Sequence, residues 1–144
     1  MSKFPIYFDV EAEATAGIGS TWTGKSGDLP PITNAIPAEF GGPGNGYSPE
    51  DLFGLSVVNC IIATFKVYCE HSGAGFDNLK AKASVSMGKD PAENYLALNS
   101  IDITIDITGA SDKDKVKSIL EKAIKDCCIS NSIKSGKTFH LNIS

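Results

Sequence analysis

Arginine is absent from this chain. All 13 basic residues are lysine, and 17 acidic residues outweigh them to leave a formal charge of −4. The chain therefore lacks both a strong positive field and the planar guanidinium fork that grips phosphates and reads base edges, so no nucleic-acid partner is expected. Cysteine occurs four times, as Cys60, Cys69, Cys127 and Cys128. These are too few and too unevenly placed for the disulfide framework of a small secreted domain, and no Cys-x-x-Cys or Cys/His grouping has zinc spacing. Neither a metal nor another cofactor is expected. The amino end, Met1-Ser2-Lys3-Phe4-Pro5, has no continuous apolar stretch of the kind a secretory leader needs. The expectation is a cytoplasmic protein whose thiols are reduced, and so are either packed or reactive.

What the chain does have is the balance of a soluble globular protein, 42% hydrophobic and 21% charged. Its 144 residues fit one domain, expected to span 1–144. From Ile6 to Ala14 apolar and polar residues alternate as in a strand with one wet face. Residues Gly17 to Gly46 are crowded with glycine and proline around Thr21-Trp22-Thr23, which reads as short strand pieces joined by turns. Ser48-Pro49-Glu50-Asp51 then supplies a capping hydroxyl, a proline at the first helical position and an acidic residue three after the cap. A helix is expected from there to about His71, ahead of the breakers Ser72, Gly73 and Gly75.

That helix is apolar nearly all round, the pattern of a buried or a membrane helix. Its apolar stretch of about 18 residues approaches the ~20 that a span needs. Asn59 and Lys66 within it, and the lack of a second such segment, favour burial in protein over a membrane. Leu79, Ala81, Ala83, Val85 and Met87, and then Ile101, Ile103, Ile105 and Ile107, alternate with polar residues as two half-buried strands, joined as a hairpin through Asp90-Pro91. Ser111-Asp112-Lys113-Asp114 opens an amphipathic helix whose core stripe runs Val116, Ile119, Leu120, Ala123, Ile124 and Cys127. Phe139, Leu141 and Ile143 form a closing strand. The order defines an α+β fold with mainly antiparallel pairing. A long central helix too apolar for one small sheet to cover suggests a second subunit.

Two stretches carry a family resemblance. Phe40-Gly41-Gly42-Pro43-Gly44 leads into Ser48-Pro49-Glu50-Asp51-Leu52 and then Cys60, ten residues after the glutamate; Cys127-Cys128-Ile129-Ser130-Asn131 follows the second helix. Together with the element order, this resembles the OsmC/Ohr family over nearly the whole chain. The resemblance implies an intertwined homodimer, with the central helices packed between two sheets and two active sites at the subunit interface. It also implies reduction of organic, alkyl or lipid hydroperoxides in defence against oxidative stress. Cys60 would be the attacking thiol, Cys127 the resolving one and Glu50 an orienting carboxylate, with an external dithiol as reductant. The family's arginine, often within Gly-Arg-x-Gly, corresponds here to Lys25 in Gly24-Lys25-Ser26-Gly27, and its proline slot holds Cys128, so either Cys127 or Cys128 could resolve.

Only a thiolate is nucleophilic enough to attack a peroxide oxygen, so a cysteine must be shifted below its ordinary pKa of ~8.5 by a positive neighbour or by hydrogen bonds. A second thiol then protects the sulfenic acid from irreversible oxidation. Ten helical residues separate Glu50 from Cys60 by about 15 Å. If the two cooperate, the glutamate comes from another subunit. Cys69 lies on the side of the helix opposite Cys60 and reads as packing, while His71 and His140 read as surface residues. Trp22, Phe40, Tyr47, Phe53 and Phe65 would suit an apolar pocket. Two other functions fit the same residues: a non-enzymatic relative that binds a small apolar ligand at the dimer interface, and a structural module whose cysteines only pack.

Overall fold

The computed structural model describes residues 3–144. Met1 and Ser2, which open the segment expected to lack a leader, lie outside the described residues. The chain divides into two compact units, Met1–Leu52 and Phe53–Ser144.

The first unit holds a three-stranded antiparallel sheet in the order β1 (Val10–Glu13), β2 (Trp22–Ser26), β3 (Ile32–Asn34). Alternation from Ile6 promised a longer first strand. Its partner sets the limit: Val10 already faces Ser26, the last residue of β2, and the chain then turns at Gly27 with a φ of 54°. A 3-10 turn at Ala38–Phe40 follows. Gly42 is needed where the chain doubles back, because a Cβ there would overlap the Ile36 carbonyl. The unit has little core of its own. Ala35 is its one buried hydrophobic residue among those described, whereas Phe8 and Val10 are 86% and 78% exposed.

Helix α1 (Pro49–Ser72) starts at the expected signal. The Asp51 N–H donates to the Ser48 hydroxyl at 3.0 Å, and the Ser48 N–H donates to the Asp51 carboxylate at 2.9 Å, a reciprocal cap. With a mean hydropathy of 1.7 in its most apolar window, α1 is long and apolar enough to cross a membrane. Within the single chain it buries one face, Gly54, Val57, Val58, Ile61, Phe65 and Cys69. The all-round burial expected from its sequence is not reached: Leu55 and Val67 are 41% and 49% exposed.

In the second unit β4 (Asn78–Lys89) and β5 (Leu96–Thr108) form the expected antiparallel hairpin. Asp90 closes it, its carboxylate accepting the Ala92 and Glu93 N–H groups at 2.9 and 2.8 Å. Met87, which simple alternation places with Val85, is 38% exposed, next to a register shift that leaves Asn99 of β5 without a partner on β4. Helix α2 (Lys113–Asp126) is capped by Asp112, whose carboxylate accepts the Lys115 N–H at 3.1 Å. A four-residue turn of helix, α3 (Cys128–Asn131), follows at once. The last strand, β6 (Gly136–Ile143), runs parallel to β5, because the helices between them carry the chain back to the same end of the sheet. Three of the four strand pairings remain antiparallel. Ile101, Ile103, Ile105 and Ile107 of β5 are at most 1% exposed and pack in one cluster with the buried face of α1 and with Val116, Leu120 and Ala123 of α2.

Candidate active site

Cys127 falls in the one-residue break between α2 and α3, ending the first and capping the second. An amphipathic helix turns its apolar stripe inward, and Cys127 is the next member of that stripe, so the break itself is buried and Cys127 is 0% exposed. Its sulfur accepts the Ser130 N–H at 3.4 Å, and Ser130 is buried as well. From the other side comes Cys60 of α1, half-buried and packed on the same cluster. The two thiols lie within hydrogen-bonding reach of each other.

Their surroundings push them in opposite directions. Burial raises the Cys60 pKa, but the Ile129 backbone N–H, the Cys127 thiol, the Thr64 hydroxyl and the Cys128 backbone N–H together outweigh it, and Cys60 ends below the ordinary thiol value. The Thr64 hydroxyl has one hydrogen and gives it to the Cys60 carbonyl at 2.9 Å, so it serves the sulfur only by rotating. The backbone N–H groups of Cys128 and Ile129 are therefore the dependable donors. They are also free to act, since the first N–H groups of a helical turn have no partner within it. For Cys127, burial is the largest cause, the Ser130 N–H opposes it, and the neighbouring Cys60 adds to it, leaving Cys127 pushed up to about 11. Cys60 is thus the thiol that ionises more readily, and Cys127 the one that keeps its proton and can donate to it.

Lys25 and Glu50 belong to the first unit. Lys25 pairs across the strands with Glu11 at 3.2 Å on an exposed surface. Glu50, in the first turn of α1, has its Oε2 shut off from solvent with no hydrogen-bond partner among the described residues. Cys128 is exposed. Cys69 is 3% exposed, and burial raises its pKa, as suits a packing thiol. His71 and His140 are exposed, the latter against Asp102 at 2.8 Å.

The five aromatics do not act alike. Phe65 is fully buried core, its ring 5.1 Å from that of Phe76, and Phe40 and Tyr47 stand about half exposed. Trp22 lines an apolar cavity of ≈ 570 Å³ in the first unit with Val10, Leu29, Ile32 and Leu52. Phe53 lines one of ≈ 640 Å³ in the second, with Leu98, Ile133 and Lys134. Among the described residues no group of three or more His, Cys, Asp or Glu side chains is placed to hold a metal ion.

The fold has its counterpart in known proteins. Residues 42–142, well over half the chain, match the family model described as OsmC-like protein, and the chain belongs to that family. An OsmC-like protein of unknown function from Vibrio cholerae is 12% identical, with a TM-score of 0.82 over 95% of this chain and 99% of that one. An organic hydroperoxide resistance protein OsmC from Legionella pneumophila is 21% identical, with a TM-score of 0.71 over 99% of both chains. An organic hydroperoxide resistance protein from Elizabethkingia anophelis is 19% identical, with a TM-score of 0.75 over 99% of both. At these identities the likeness is one of fold. No curated protein sequence gives a significant match.

Proposed function

We propose that this protein is a cytosolic, homodimeric, thiol-dependent peroxidase that reduces organic hydroperoxides. The observation that carries the reading is the pairing of a lowered Cys60 with a raised, hydrogen-bonded Cys127 beside free backbone donors. The Cys60 thiolate attacks the terminal oxygen of R–O–O–H, the O–O bond breaks, and an alcohol leaves after taking a proton, with Cys60 becoming a sulfenic acid. The Cys127 thiol then displaces water from that sulfur and forms the Cys60–Cys127 disulfide. An external dithiol restores both thiols and is itself oxidised to a disulfide. Family membership and the names of the similar solved structures support a hydroperoxide as substrate.

Glu50 enters this reading through its unpartnered oxygen. A buried carboxylate oxygen without a partner is costly, and a cation or donor from a second copy of the chain would satisfy it. Lys25 is the candidate cation, exchanging Glu11 for Glu50 of the other subunit.

Cys60→Ser tests the chemistry. With cumene hydroperoxide and dithiothreitol, consumption of peroxide falls to background in the variant. Equal rates in the variant and the wild type would reject the reading. The apolar cavity beside Trp22 favours a second one, in which the protein binds a small apolar ligand without reacting. It predicts four thiols inert to peroxide at neutral pH.

A further inference from the structure

One face of α1 carries Phe53, Ser56, Cys60, Thr64 and Tyr68, which recur at three- and four-residue steps. The segment from the end of α2 to the start of β6 runs along that face in the opposite sense. Tyr68 donates its hydroxyl hydrogen to the Asp126 carboxylate at 2.6 Å, Cys60 meets Cys127, Cys128 and Ile129, and Phe53 shares a cavity with Ser132, Ile133 and Lys134. The cavity is therefore the next space along the groove from the thiol pair. Seven residues separate Phe53 from Cys60, so their side chains leave the helix within about 20° of each other and about 10.5 Å apart along its axis.

At ≈ 640 Å³ the cavity has the size of a small-molecule site, with apolar walls from Phe53, Ala97, Leu98 and Ile133. Most of its polar groups are committed to the protein. Asp90 accepts the Ala92 and Glu93 N–H groups, and the Asn99 amide donates to the Lys89 carbonyl. The Ser132 and Ser135 hydroxyls donate to the carbonyls of Cys128 and Leu98. Lys134 is the exception. Its ammonium has three hydrogens and gives one to the Tyr95 hydroxyl at 3.0 Å, and that hydroxyl keeps its own hydrogen to donate. Among the described residues no carboxylate is in ion-pair contact with Lys134.

We infer, on the peroxidase reading above, that this cavity holds the organic group of the hydroperoxide and that Lys134, with Tyr95, receives a carboxylate at its far end. The favoured substrates are then hydroperoxides of long-chain monocarboxylic acids. The chain buries its methylenes against Phe53, Leu98 and Ile133, the peroxide group reaches Cys60, and the acid end stays at the mouth, where Lys134 is exposed. Lys134 acts on specificity, since it touches the substrate away from the reacting atoms. Asp90 lines the same cavity, and its charge opposes the carboxylate and limits the preference.

The test compares the hydroperoxide of linoleic acid with that of its methyl ester, both with dithiothreitol as reductant and in the same detergent. Lys134→Gln is expected to lower kcat/KM for the acid by about fivefold relative to the ester, as much as an exposed ion pair supports. Lys134→Arg should restore the wild-type preference. Asp90→Asn, which keeps the oxygen that accepts the hairpin N–H groups, should increase it. Ala97→Phe fills the cavity and should raise KM for acid and ester together. An acid-to-ester ratio within about twofold of wild type in Lys134→Gln, or a KM that Ala97→Phe does not move, would overturn the subsite. Binding of dodecanoate, which contains no peroxide, is followed by calorimetry in the same proteins and should weaken about fivefold in Lys134→Gln. Wild-type protein that binds dodecanoate but consumes no hydroperoxide would reject the peroxidase reading while the carboxylate subsite stands. Wild-type protein that consumes hydroperoxide but binds no dodecanoate at millimolar concentration would reject the subsite alone.

Discussion

The largest of the hydrogen bonds that lower the Cys60 pKa comes from the backbone of another segment, at Ile129. Cys60 and Cys127 are singled out in the sequence by the family resemblance, which also makes a positive side chain, Lys25, the candidate for stabilising a thiolate. What the folded chain supplies is the Ile129 backbone N–H, followed by the Cys127 thiol, the Thr64 hydroxyl and the Cys128 backbone N–H. A backbone donor carries no residue type, so nothing in the sequence marks it beyond the short Cys127-Cys128-Ile129-Ser130 turn. The titration behaviour follows in sign. Lowering the Cys60 pKa keeps the thiolate populated to lower pH than in an ordinary cysteine, and acidification through that pKa switches reactivity off. Cys127, pushed up to about 11, stays protonated through neutral and mildly alkaline pH. Iodoacetamide labelling mapped by peptide should therefore mark Cys60 ahead of Cys127 and Cys69, with a midpoint below that of an ordinary cysteine. Cys127 and Cys69 should remain unlabelled at that pH. Labelling of Cys127 ahead of Cys60 would reverse the assignment of nucleophile and resolver.

At the scale of elements, local signals were enough wherever local chemistry decides the outcome. The Ser48–Asp51 cap, the Asp90 hairpin and the four isoleucines of β5 stand where their patterns placed them. What escaped depends on partners distant in sequence: the length of β1 is set by β2, the register shift beside Met87 by the unpaired Asn99 of β5, and the parallel course of β6 by the crossover through α2 and α3. Gly54 shows the same limit. Within a helix, glycine costs about 1 kcal/mol relative to alanine, so its presence needs a reason. A Cβ at Gly54 would lie 3.0 Å from Val85 Cγ2, and Val85 is β-branched and stiff, so the missing side chain lets α1 and β4 approach. Gly54→Leu should destabilise the protein by about 1–3 kcal/mol, read as a lower midpoint of urea unfolding. An unchanged midpoint would mean that α1 can move off the sheet at no cost.

For the whole molecule, the surfaces left open indicate what is missing from a single chain. The first unit exposes Phe8, Val10, Leu29 and Ile18 above 60%, and α1 leaves Leu55 and Val67 uncovered. Exposed apolar surface on that scale marks an interaction site, and a homodimer is the assembly we propose to cover it. Glu50 gives this proposal a sharper form. It stands ten helical residues, about 15 Å, from Cys60 of its own chain, so a glutamate that serves the thiol must reach it from the other subunit. Subunit mixing tests the point. Cys60→Ser retains Glu50 and lacks the nucleophile; Glu50→Gln retains the nucleophile and lacks the carboxylate. Each alone is expected to be impaired. When the two are unfolded together and refolded at equal concentration, half of the dimers are mixed. If the site is shared, each mixed dimer has one site pairing an intact Cys60 with an intact Glu50 from its partner. Hydroperoxide reduction should then recover to about a quarter of the wild-type rate. If each site is built within one chain, no mixed dimer contains an intact site, and activity stays at the level of the separate variants.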